Sequence, residues 1–223
     1  QVLDTAEVYD PQTDGWQPLA KMTTARYGLG LAAVGGKLYA IGGSAGGRGM
    51  DSVEAYDPQL GAWALVASMS GKRRQHASVV LDGKIYAIGG CGSDLVPLNT
   101  VEVYDPQADS WQRVASMPQR LYMHAAAAMG GKIYVTGGET NQGTVNSAYV
   151  YDPQADTWTQ LASMSIARRG HASAAVGGKL YVFGGHGDEG YLSTAEVYDP
   201  ASDSWAQALE LTSLRARMAA VAL

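Results

Sequence analysis

The chain repeats itself. Tryptophan recurs at Trp16, Trp63, Trp111, Trp158 and Trp205, at spacings of 47, 48, 47 and 47 residues. Tyr-Asp-Pro recurs at those spacings too, at 9–11, 56–58, 104–106, 151–153 and 198–200, with its tyrosine always seven residues before the tryptophan. A glycine pair ends four apolar runs, KLYAIGG (37–43), KIYAIGG (84–90), KIYVTGG (132–138) and KLYVFGG (179–185). Several markers held in register at this period restrict the fold to copies of one supersecondary unit packed against one another.

Each unit reads as four strands. Strand a is small and apolar, as in GLGLAAV (28–34) and HASAAV (171–176). Strand b is the KIYAIGG run, rich in β-branched and aromatic residues. Strand c alternates, as in VEVY (101–104), and strand d carries the tryptophan, as in WQRVASM (111–117). GGK or DGK makes the a–b hairpin and DPQADSW the c–d turn. Such a sheet cannot bury both faces alone, and stacking the sheets radially around an axis buries them against each other. The strands nearest the axis are crowded, which suits the alanines and glycines of strand a. The glycine pair is expected where an aromatic ring of the same unit approaches the backbone, with tyrosine and tryptophan as the packing rings.

Composition agrees. With 46% hydrophobic, 17% charged and 28 glycines, the chain suits short strands and tight turns, not disorder. A net charge of −5 gives no general affinity for nucleic acid. No apolar run approaches the ~20 residues of a membrane-spanning helix. The single cysteine, Cys91, permits no internal disulfide and no cysteine-only metal site, which fits a reducing, cytoplasmic setting. With its start at Gln1 rather than Met, the chain is expected to be a piece of something longer.

Gly-Gly, then Tyr, then Trp at this period resembles the kelch repeat, and the match covers nearly the whole chain. The VEVYDPQADSW style is most similar to the kelch domains of BTB-kelch adaptors of cullin-type ubiquitin ligases. The resemblance implies an all-β kelch propeller, a single domain over 1–223. Its complete blades fall at 21–66, 67–114, 115–161 and 162–208. Residues 1–20 supply strands c and d of an incomplete shared blade, and 209–223 its closing strand a. That blade lacks strand b, so the chain reads as five-bladed as it stands or as a fragment of a six-bladed domain. An unpaired blade edge is also a route to self-association.

Charge sorts by face. In this topology the d–a and b–c connections share one face of the disc, and every arginine but Arg113 lies in them or at the start of strand a. Arg26, Arg73 and Arg168 occupy one repeat position, with Arg215 matching. The next position holds Tyr27, Arg74, Tyr122 and Arg169, and Arg48, His186, Tyr191 and Arg217 complete the candidate partner-binding set. A ring of guanidinium groups at a channel mouth suits carboxylate or phosphate. At the first position a structural bond to backbone carbonyls competes equally with binding. The resemblance implies the same face, which in those adaptors takes acidic or phosphorylated peptides.

His76, His124 and His171 also share a position, but successive blades hold them too far apart for a common metal, so no metal site is assigned. Cys91 follows a glycine pair and reads as inert or modifiable. No nucleophile elbow, P-loop, paired-carboxylate motif or dinucleotide fingerprint is present, and no catalytic residue or cofactor is assigned. The reading is a protein-interaction module for an acidic or phosphorylated segment, acting as the substrate receptor of a ubiquitin ligase. The competitors are a kelch enzyme or binder for an acidic sugar such as sialic acid, and a structural or actin-binding propeller.

Overall fold

The computed structural model describes residues 2–220. Four antiparallel sheets each run in the order a-b-c-d. Blade I comprises Gly30–Val34, Lys37–Ile41, Val53–Asp57 and Ala62–Val66, and blade II Ala77–Leu81, Lys84–Ile88, Val101–Asp105 and Ser110–Val114. Blade III comprises Ala125–Met129, Lys132–Thr136, Ala148–Asp152 and Thr157–Leu161, and blade IV Ala172–Val176, Lys179–Phe183, Ala195–Asp199 and Ser204–Ala208. The core lies between sheets: Ile41 and Val53 of blade I pack with Ile85 and Tyr104 of blade II, and Tyr86 and Ile88 of blade II with Ile133 and Tyr151 of blade III. This is the radial stacking expected of units that cannot bury themselves.

The tyrosine and tryptophan pair within each blade, at 5.1 Å between ring centroids for Tyr104–Trp111 and 5.0 Å for Tyr151–Trp158. The indole N–H then reaches the preceding blade, Trp111 donating to the Ala67 carbonyl at 2.9 Å and Trp158 to Ala115 at 2.8 Å. Tyr104 and Tyr151 also bond Asp109 and Asp156, whose carboxylates accept the Ala67 and Ala115 N–H groups. In blade I the aspartate position is Gly61, so this second strap is missing.

The glycine pairs serve a different approach from the aromatic one anticipated. A Cβ on Gly89 would lie 2.7 Å from the Leu121 carbonyl of the next blade, and Gly90 donates its N–H to that same carbonyl at 2.8 Å. Both residues have positive φ, 57° and 90°. Glycine is needed because the neighbouring blade's backbone, not a ring, comes this close. The same bond recurs as Gly43 to Arg73, Gly138 to Arg168 and Gly185 to Arg215.

The ends differ from the four complete blades. Glu7–Asp10 pairs only with Gly15–Pro18, so the predicted c and d strands form a two-stranded hairpin. Its Trp16 is 68% exposed and, unlike Trp63, Trp111, Trp158 and Trp205, makes no indole hydrogen bond among the described residues. The expected closing strand a over 209–223 is not a strand among its described residues, 209–220, and no strand b lies beside it among the described residues; 221–223 fall outside them. This segment still takes the inner station of a fifth blade. Backbone bonds run Gln75 to Gly28, Met123 to Gln75, Gly170 to Met123 and Arg217 to Gly170, at 2.6–2.9 Å, a belt around the axis with no bond returning from Gly28 to Arg217.

Candidate functional site

At the first arginine position, Arg26, Arg73 and Arg168 are buried and only Arg215 faces solvent. Arg73 is fully buried, donating to the Gly89 and Thr100 carbonyls at 2.9 and 3.0 Å and to Glu102 at 2.6 Å. Arg26 does the same with Gly42, Ser52 and Glu54, and Arg168 with Gly184, Thr194 and Glu196. The carboxylates also accept N–H groups of the d–a loops, from Thr23, Ser70 and Ser165. Burial alone would push the Glu102 carboxyl up, but the Ser70 N–H and the Arg73 guanidinium together hold it below its ordinary value. Glu54 is lowered likewise by Thr23 and Arg26. These three arginines bind their own blade together, which corrects their assignment to the partner-binding ring and selects the structural alternative. The signal was in the sequence: glutamate stands second in strand c of VEAY, VEVY and AEVY, and is replaced in AYVY, the blade whose arginine is Leu121.

The second position lies at the mouth and is largely engaged within the protein. Arg74 is mostly buried and donates to the Tyr27 hydroxyl at 2.7 Å, its guanidinium 6.0 Å from that ring. Arg169 pairs with Glu139 at 2.6 Å. Glu139 also takes the Tyr122 hydroxyl, whose pKa burial and this bond push up to about 12. Glu139, the residue after a glycine pair, is thus a site residue that sorting by positive charge overlooks. Each second-position residue bridges the residue after its blade's glycine pair, as in Arg74–Cys91 and Arg169–His186. Cys91 is buried there, with its thiol 3.8 Å from the Gln75 amide oxygen, which removes the reading of an exposed, modifiable thiol.

What remains open on this face is specific. Arg48, Arg215 and Arg217 are exposed and make no ion pair among the described residues. Arg48 sits on the short ribbon Ser44–Ala45 with Arg48–Gly49, one of three that the b–c loops form. His186 meets Tyr191 edge-on at 5.1 Å on another, leaving Tyr191 62% exposed. Arg169, His186, Tyr191 and Arg217 line a cavity of about 190 Å³. Leu95 and Val96 add an exposed apolar tip in the blade II loop. On the opposite face each blade closes its own charges, Lys37 with Asp57, Lys84 with Asp105, Lys132 with Asp152 and Lys179 with Asp199. Among the described residues, no group of three His, Cys, Asp or Glu side chains is placed to hold a metal ion.

The fold and its repeat markers define a kelch-type β-propeller, a class that generally serves as a protein-interaction module. The Attractin/LZTR1 β-propeller family model matches residues 2–222, and the chain belongs to that family. Human Kelch-like protein 5 is 44% identical over 46 residues, which cover 21% of this chain and 6% of that protein. The mouse influenza virus NS1A-binding protein homolog is 48% identical over 46 residues, 21% of this chain and 7% of that protein. These matches span one repeat length and less than a tenth of either relative. The solved structure titled "Structure of YjhT" superposes with a TM-score of 0.86 over 97% of this chain and 80% of that one, at 17% identity, a likeness of fold alone.

Proposed function

We propose that the loop-bearing face docks an acidic or phosphorylated segment of a partner protein. The observation that carries this is the asymmetry between the faces. Lysines on one face are closed by their own blades, while Arg48, Arg215 and Arg217 on the other are exposed and unpaired among the described residues, beside Tyr191 and the Leu95–Val96 tip. Guanidinium forks suit carboxylate and phosphate, and exposed aromatic and apolar tips supply contact area. The likeness of the repeats to BTB-kelch adaptors supports a further step, that a longer protein carrying this domain presents its partner to a ubiquitin ligase.

The test is binding of an acidic phosphopeptide library, read by fluorescence anisotropy. Arg215→Ala with Arg217→Ala should weaken binding by roughly 1.5–3 kcal/mol per lost contact, and added salt should weaken it further because the groups are exposed. Lys84→Ala with Lys132→Ala removes equal charge from the other face and should leave binding unchanged. Equal binding by the two double variants would overturn the reading. Conversion of an acidic sugar by the wild-type protein would favour the enzyme alternative.

A further inference from the structure

Behind the mouth lies a channel that the docking reading does not use. Two contiguous cavities of about 390 and 380 Å³ share the side chains of Leu29, His76, His124, His171 and Met218, one from each of the five inner stations. The three histidines are at least 93% buried, at 7, 6 and 5% exposure. Both ring nitrogens of His76 and Nδ1 of His171 have no hydrogen-bond partner, and neither do the hydroxyls of Ser78 and Ser173 one layer deeper, while His124 has only the Ile88 backbone within reach. His171 Nε2 lies 2.9 Å from the Thr136 hydroxyl. Buried polar atoms are normally satisfied, so this many orphans around one cavity indicate a polar occupant.

The sign of that occupant follows from what is missing. The chain carries 21 Asp and Glu residues, yet none lines either cavity among the described residues, and Arg217 stands at the mouth. The groups acting on the histidines are Arg73 on His76 and His124, Arg168 on His171, and His124 on both His76 and His171, and each guanidinium is already closed by Glu102 or Glu196. Burial, with these cations, keeps the imidazoles neutral, His124 lowered to about 4 and His171 to about 3. A neutral imidazole offers one N–H, and on taking a proton it offers two and a charge.

We propose that the channel binds a carboxylate, held by the N–H groups of His76, His124 and His171 and the hydroxyls of Ser78 and Ser173. The carboxylate comes from a small free acid or from a side chain of the docked segment; only the second source rests on the function proposed above. The imidazoles stay neutral above their lowered values, about 4 for His124 and about 3 for His171, so each donates a single N–H and binding changes little between pH 7.5 and 6.

The probe is acetate, titrated against chloride at constant ionic strength, with the histidine ring nitrogens followed by NMR. The expected result is a saturable shift of His76, His124 and His171 but not of His186, which lies outside the channel, with similar affinity at pH 6 and 7.5. No saturable shift, or a parallel response of His186, overturns the proposal. Blade I already carries Leu29 at this station, so His76→Leu with His171→Leu is a replacement the fold accommodates; it should weaken acetate by about tenfold or more. Undiminished acetate binding in that variant also overturns the site, and should it not fold, the wild-type titration decides alone. Displacement of acetate by the acidic phosphopeptide assigns the carboxylate to the docked segment. Retention of acetate beside a bound peptide assigns a free acid. Acetate binding without any peptide binding leaves the channel site standing and removes the docking reading.

Discussion

Blade III and the other three complete blades close the same loop in two different ways. In blades I, II and IV a buried arginine spans two backbone carbonyls and a buried glutamate, and the glutamate caps the loop that enters the blade. In blade III the arginine is Leu121, fully buried, and the glutamate is Tyr149. The loop residue whose N–H the glutamate would accept, Thr23, Ser70 or Ser165 elsewhere, is Pro118, which has no N–H. Gln119 takes over, accepting from the Ser147 hydroxyl at 2.8 Å and from Tyr149 at 3.2 Å. The exchange is concerted because each part is unsafe alone: leucine without tyrosine leaves a buried carboxylate unpaired, and glutamate beside proline loses its backbone donor. A buried ion pair is thus one solution to closing this blade, and an apolar pair with one amide is another.

The contrast between the blades is sharpest at the buried ion pair. Arg73→Leu alone leaves Glu102 buried without its partner and should destabilise the protein by about 3–5 kcal/mol. A loss below about 1 kcal/mol in urea unfolding would mean that the pair contributes nothing to blade II. Next come the tryptophans, where blades II and III are built alike. Trp111→Ala and Trp158→Ala should each cost about 3 kcal/mol and differ little from each other, whereas Trp16→Ala, on the open hairpin, should cost under about 1 kcal/mol. Unequal losses at Trp111 and Trp158 would show that blade III differs beyond its loop. Grafting the blade III set into blade II, Ser70→Pro, Gly71→Gln, Arg73→Leu and Glu102→Tyr together, should recover most of what Arg73→Leu loses, to within about 1 kcal/mol of wild type. A graft as unstable as the single variant would refute the concerted exchange.

The smallest effect sharpens the contrast with pH. The Glu54 and Glu102 carboxyls are lowered on folding, so their stabilisation is present above the unfolded value of about 4.3 and is lost as pH falls through the folded one. Hydrogen exchange should show Thr23 and Ser70 amide protection declining in that acid range, while the Leu121 amide, which bonds the Leu98 carbonyl, keeps its own. Equal acid sensitivity at all three amides would contradict the assignment.

Much was legible from the repeat alone: four complete blades, their strand order, the two-strand unit at the start and the tyrosine–tryptophan stations. These are local or periodic properties, and a pattern copied four times averages out the ambiguity of any one segment. The glycine pair was legible as a close approach, but not what approaches, because the Leu121 carbonyl that faces Gly89 belongs to the next blade. The site was less legible for the same reason. Arg73 and Arg74 are adjacent in sequence and both cationic, yet one is sealed against Glu102, twenty-nine residues on, and the other leans on Tyr27 in the preceding blade. The sequence by itself determined the unit, its number of complete copies and which connections carry the arginines. Only the tertiary structure decided which charges are consumed within and between blades and which stay exposed, because pairing in a propeller depends on distances across sheets that a linear spacing does not record.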